Sequence, residues 1–241
     1  MNAREKILAK VRKAQNPASA ATSQALTSHL TLHPRGPLPP QPDNLIAYFK
    51  ARALKLSSDV LETNDIGEVP TLLARYLAER KLPERGVCWP LLKALRWSTA
   101  GLEIQSCPAR AQARSPLLNP LPQAGEEANG SLREFDDDDM VGITSAFCGI
   151  AETGTLMMLS GADTPATTSL LPETHIAILD PKRIVACMED AWDLMRKEHN
   201  QPPRAVNFIS GPSRTADIEQ TVTLGAHGPY RVLIILAPID A

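Results

Sequence analysis

Aromatic residues are scarce in this chain: four Phe, three Trp and three Tyr make up 4% of its 241 residues. Aliphatic side chains must therefore fill any interior, and the hydrophobic share of 43% supplies them. Positive charge is not in surplus either. Lys and Arg number 25 against 27 Asp and Glu, a formal net charge of −2, and no Lys/Arg cluster is interleaved with aromatic residues, so nothing points to nucleic acid. No apolar run reaches the roughly 18 residues that span a bilayer, and MNAREKILAKVRKAQ lacks the apolar block of a signal peptide. The expectation is a soluble, cytoplasmic protein. Cysteine is confined to Cys88, Cys107, Cys148 and Cys187, with no C-x-x-C pair and no Cys/His knot at metal spacing. These cysteines are expected to be reduced and mostly buried, holding neither zinc nor an iron–sulfur cluster by themselves. A P-loop and a G-x-G-x-x-G fingerprint are absent as well.

The length suits one main α/β domain. An amphipathic helix carrying Ile7, Leu8 and Val11 on one face opens the chain, and a proline-dense linker follows to residue 42. His29 and His33 in that linker stand four apart, a metal-like spacing on a helix, but Pro34, Pro37, Pro39 and Pro40 argue for loop histidines. From 43 the pattern alternates: helix to about 56, strand 59–62, helix 68–80, strand 87–89, short helix 91–96, strand 101–105. Residues 108–131 combine Pro, Ala, Gly and Glu/Gln without periodicity and read as a flexible insertion. Asp136 to Asp139 follow; adjacent carboxylates point in different directions, which favours a solvated approach to a strand over a Mg²⁺ or Ca²⁺ site. Beyond them come strand-like runs within 140–161, a strand over 175–179 begun by a structural His175, and a helix from 180 or 181 to about 197. Strands opening near 205 and at 231–238 complete the alternation, and the run VLIIL marks a sheet covered on both faces. The fold expected is α/β, a mostly parallel sheet flanked by helices, with residues 1–42 as helix and linker and 43–241 as the domain.

Two segments carry chemistry. AVNFISGPSRTADIEQ, starting at 205, runs from an apolar strand through a Gly-Pro-Ser-Arg-Thr turn into an expected helix. Gly211 permits close backbone approach, Ser213 and Thr215 are N-cap types, and free N–H groups with the helix dipole favour an anion over 211–217. Arg214 adds a planar fork for carboxylate or phosphate. Asp217 and Glu219 either orient Arg214 or complement the dipole. A capped helix alone accounts for the same residues. In MVGITSAFCGIAETGTLMMLSG, starting at 140, Glu152 sits at a glycine-punctuated turn with Thr153 and Gly154. Partial burial would raise its pKa and suit it to acid, base or nucleophile work, or it accepts backbone N–H bonds and fixes the turn. His227, in GAHGP, lies in a loop before the last strand. Both segments follow strands, so convergence at the carboxyl ends of a parallel sheet is expected.

GIAETGTLMML, LLPETHIAIL, SGPSRTADIE and GAHGP, in this order, resemble the LUD-domain family, also known as lactate-utilization protein C or YkgG, over about residues 43–241. That resemblance implies a fold similar to the NagB/RpiA/CoA-transferase group and participation in oxidation of L-lactate to pyruvate alongside iron–sulfur partner proteins. The chain would then be an accessory subunit without a cluster of its own, gripping an anionic small molecule through Gly211, Ser213, Arg214, Thr215 and Asp217. Glu152, Thr153, Gly154 and His227 would face the same crevice, Glu152 and His227 as candidate catalytic groups. The 108–131 stretch departs from the family pattern in length. Two alternatives remain: a stand-alone acyl- or CoA-transferase-like or folate-ligase-like enzyme using Glu152, and a pure interaction module for iron–sulfur proteins.

Overall fold

The computed structural model describes residues 3–14, 27–28, 30–32, 35–38, 42–107, 141–215, 223–224 and 228–239. His29, His33, the 108–131 stretch, Asp136 to Asp139, Asp217, Glu219 and His227 lie outside them. The chain divides into two units, Met1–Pro40 and Gln41–Ala241. In the first, α1 (Ala3–Ala14) is built from strong helix formers with Glu5 in its first turn, and Ile7, Leu8 and Val11 are exposed.

In the second unit α2 (Leu45–Lys55) begins where the Asn44 side chain accepts the Ala47 N–H at 2.9 Å and ends with Arg52 and Lys55 near its negative pole. It buries Phe49 and Ala53. α3 (Val69–Glu79) has Pro70 in its first turn, where no N–H is needed, and buries Val69, Leu73, Tyr76 and Leu77. The strands in chain order are β1 (Asp59–Glu62), β2 (Arg85–Cys88), β3 (Glu103–Ser106), β4 (Val141–Ser145), β5 (Cys148–Ile150), β6 (Thr155–Leu159), β7 (Thr174–Leu179), β8 (Ile184–Val185), β9 (Val206–Ile209), β10 (Arg214–Thr215), β11 (Thr223–Leu224) and β12 (Arg231–Leu236). Two more helices, α4 (Thr167–Leu170) and α5 (Met188–Glu198), stand between β6 and β9.

Six strands form one parallel sheet in the order β1-β12-β7-β4-β2-β3. The alternation expected from sequence is thus an α/β fold with a parallel sheet flanked by helices. The period of two sorts its side chains onto two cores. Along β12, Val232, Ile234 and Leu236 join Phe49, Ala53, Leu156 and Ile184 on one face, while Leu233 and Ile235 join Leu73, Leu77, Ile143 and Ile176 on the other. Both faces being covered is why RVLIIL and THIAIL read as unbroken apolar runs.

Four of the remaining strands leave that sheet. β8, β5, β6 and β9 make a second sheet, with β5–β6 and β6–β9 antiparallel and β5–β8 parallel. One of its faces contributes Leu156, Met158 and Ile209 to the core shared with β12, and the other packs Cys148, Ile150 and Met157 against Ala191 and Met195 of α5. The expected helix over 180–197 is corrected here. Asp180 accepts the Lys182 N–H and makes only a 3-10 turn, Pro181–Arg183; β8 then pairs with β5, and α5 starts after Cys187 with a capping box closed by Asp190. The short helix expected over 91–96 is likewise a 3-10 turn, Pro90–Ala94. Among the described residues no helix is long and apolar enough to cross a membrane.

Candidate functional site

Arg214 and Thr215, in the turn expected to open a helix, pair antiparallel with Leu224 and Thr223 as β10 and β11, while residues 216–222, where that helix is expected to run, lie outside the described ones. The Ser213 N–H is also committed, donating to Pro229 O at 2.9 Å. The Arg214 guanidinium is exposed.

The two segments singled out from sequence do come together. Pairing of β6 with β9 sets Leu156 opposite Ile209, which brings the AETGT turn beside the SGPSR loop. A run of hydroxyls crosses the join: Thr153 donates to Thr155 at 2.8 Å, and Thr155 lies 2.7 Å from the Ser210 hydroxyl. Both loops close on the end of α2. Gly154 has φ 68°, and a Cβ there would stand 2.5 Å from Ala53 N. Gly211 has φ 82°, and its Cβ would stand 2.3 Å from Leu56 O. Arg214 donates to the Ser57 hydroxyl, and Ser57 itself is left-handed at φ 65°. Only glycine meets both demands at 154 and 211, positive φ and room for no side chain.

Glu152 sits on this turn half-buried, its N–H donating to Ala186 O at 2.9 Å. Its carboxylate has no hydrogen-bond or ion-pair partner among the described residues. It does not fix the turn by accepting backbone N–H groups there; the Gly154 N–H to Ile150 O bond does that. Location differs from expectation. Ser57 lies two residues before β1 and Pro229 two before β12, so the seam lies at the amino ends of the parallel strands, not the carboxyl ends. The reason is that AETGT and SGPSR follow β5 and β9 of the second sheet.

At the opposite, carboxyl end two cavities of about 410 and 660 Å³ share Ser145, Ala146, Phe147 and His199 as walls. The first adds Trp89, which follows β2, and Gln201; the second adds Asp180 and Lys182, which follow β7, and the Arg183–Glu198 pair. Arg183 forks onto Glu198 at 3.1 and 2.8 Å and lies 4.6 Å over the Phe147 ring, and its hydrogen bond holds the Glu198 carboxyl below its usual range. Asp180 is occupied, accepting from Lys182 N at 2.9 Å and Ile239 N at 3.3 Å. None of these residues was singled out from sequence. Their one available signal is position after an apolar strand, and which strands adjoin is not written locally.

Buried titratable groups elsewhere are quiet. His175 is fully buried on β7, bonded through Nε2 to Thr144 at 2.8 Å with Nδ1 unpartnered, and burial lowers its pKa to about 3, so it is neutral. All four cysteines are free and buried, and burial pushes the Cys88 thiol up to about 11 and Cys148 to about 12. Among the described residues no three His, Cys, Asp or Glu side chains gather as a metal site.

Known proteins resemble this chain in sequence and in fold. The LUD domain family model matches residues 46–237. A Bacillus subtilis protein named Lactate utilization protein C is 30% identical over 199 residues, covering 80% of this chain and 78% of that protein. An uncharacterized protein of Neisseria meningitidis serogroup B is 43% identical over 129 residues, 54% of each chain, so the match spans about half of that protein's length. The crystal structure of a DUF162 family protein from Deinococcus radiodurans superposes with a TM-score of 0.53 at 18% identity, over 83% of this chain and 99% of that one, which is a likeness of fold. A family model that takes in both sheets, together with a relative aligned over most of either chain, establishes that this chain belongs to the LUD domain family.

Proposed function

We propose that this chain serves lactate utilization as a component that binds an anionic small molecule, a carboxylate or phosphate, and leaves electron transfer to iron–sulfur partner proteins. The observation that carries the role is the alignment, over 80% of this chain, with a relative named for lactate utilization. The division of labour rests on the cysteines, which are buried rather than presented at a common point.

The anion contact is assigned to the seam. Arg214 supplies an exposed fork beside Gly211, Ser213 and Thr215, and Thr153 and Gly154 form the other side. Asp217 and His227 belong to the same proposal by sequence position. Isothermal titration with L-lactate, pyruvate and inorganic phosphate tests it: Arg214→Ala is expected to weaken binding about tenfold, the worth of one charge-assisted contact. Unchanged affinity for all three defeats the assignment. The role itself is tested by deleting the gene and asking whether growth on L-lactate returns with the wild-type copy; normal growth of the deletion strain counts against it.

A second reading draws on the half-buried Glu152 carboxylate, which has no partner among the described residues. Such a group suits attack on a thioester carbonyl, forming a mixed anhydride and releasing the CoA thiolate. Incubation with acyl-CoA substrates and mass analysis decides it: an adduct lost in Glu152→Gln supports an acyl transferase, and no adduct or turnover removes that reading.

A further inference from the structure

The strand order contains a reversal that local sequence does not announce. β2 and β4 are neighbours, yet from the carboxyl end of β2 the chain travels to β3 at one edge, while from β4 it travels to β7 on the other side. Connections that depart in opposite directions from adjacent parallel strands leave a crevice beyond their carboxyl ends, the place where open α/β sheets hold ligands. Trp89, first residue after β2, and Ser145 to Phe147, at and after the end of β4, line the 410 Å³ cavity found there.

Size and lining specify the occupant. Cavities of about 300–1,000 Å³ bury ligands of cofactor size, whereas a six-heavy-atom acid takes on the order of 100 Å³ by comparison with the ~30 Å³ share of a water molecule. Lactate is too small to fill it. The walls offer rings: Trp89, anchored by its indole N–H on Pro165 O at 3.2 Å, and the Phe147–His199 pair with centroids 5.6 Å apart. Ser145 and Gln201 bring a hydroxyl and an amide with no partner among the described residues. In the adjoining 660 Å³ cavity Arg183 and Glu198 neutralise one another and both Asp180 oxygens accept backbone N–H groups. Lys182 is left as the exposed cation whose ammonium has no acceptor among the described residues. A lysine of this kind meets phosphate as a point charge.

We propose that this switch-point crevice binds a nucleotide-sized organic phosphate, its planar ring against Trp89, Phe147 and His199 and its phosphate at Lys182. The site is separate from the Arg214 seam, which lies at the other end of the parallel strands.

The full-length protein is titrated with AMP and with FMN, read by calorimetry and by quenching of tryptophan fluorescence, with adenosine and L-lactate as controls. At least one of the two phosphates is expected to bind saturably at one site. For that ligand Lys182→Ala is expected to weaken binding about tenfold. Ser145→Trp, which fills the crevice, should abolish binding, and Arg214→Ala should leave it unchanged. Adenosine and L-lactate are expected to bind at least about tenfold more weakly than the phosphate ligand. Absence of saturable binding by both AMP and FMN overturns the proposal, as does full affinity in Lys182→Ala. Equal affinity for adenosine and AMP removes the phosphate contact. Lys182 is exposed, so its variant decides even if Ser145→Trp does not fold. The Arg214→Ala titration with small acids fails or succeeds independently, which keeps this site and the seam apart.

Discussion

Gly211 and Gly154 are where single residues weigh most. Each is left-handed, and each faces the backbone of α2 or its exit at a distance no Cβ tolerates. Alanine at Gly211 must distort both φ and the contact with Leu56 O, so Gly211→Ala is expected to cost about 2–4 kcal/mol in urea unfolding. A midpoint equal to wild type would show that the loop moves away freely. His175 makes a different prediction. Its folded pKa of about 3 lies below the ordinary 6.5, so between those values the unfolded chain takes up a proton that the native protein refuses. Stability from this group is complete above the unfolded value and is lost as pH falls toward the folded one. Wild type should therefore lose up to about 1.4 kcal/mol per pH unit more than His175→Gln over that window. Parallel stability curves for the two proteins would contradict a neutral, buried imidazole.

Among the elements, the region from Asp180 to Glu198 shows how pairing overrides a helical pattern. Asp180 and Pro181 begin with helix-start chemistry, yet Ile184 and Val185 find edge partners in Gly149 and Ile150, and the helix waits for the Cys187 box. Arg183 ties the pieces together, donating to Phe147 O and to both Glu198 oxygens. With side chains 31% and 37% exposed the ion pair is screened and worth at most about 1 kcal/mol, but Phe147 O would also lose its donor. Arg183→Ala should thus cost about 1–2 kcal/mol, and Arg183→Lys should restore less than half, because an ammonium cannot fork onto a carboxylate while holding the carbonyl. Thermal and urea unfolding of the two variants measure it; full rescue by lysine would mean that charge alone matters. In SRTADIE, Arg214 and Thr215 pair with β11.

For the whole molecule, the buried hydrophobic residues identified among the described positions all fall at or after Phe49, and both sheets lie within Gln41–Ala241. A chain beginning at Gln41 is therefore expected to unfold in one cooperative transition. A broad or multi-step urea titration would refute this. The alternation of apolar strands and amphipathic helices, written in runs such as THIAIL and RVLIIL, was enough to determine an α/β fold with a parallel sheet, since burial on both faces demands unbroken apolar strands. The motifs AETGT and SGPSR also marked two loops that do adjoin. What only tertiary structure decided is where they adjoin: the antiparallel register of β6 with β9 moved them into a second sheet and onto the end of α2, at the amino ends of the parallel strands. The crevice between β2 and β4 was equally out of reach of local reading. Periodicity tells a strand which faces to bury, but strand order is set by pairing between residues far apart in the chain, and the reversal that opens the crevice exists only once that order is made.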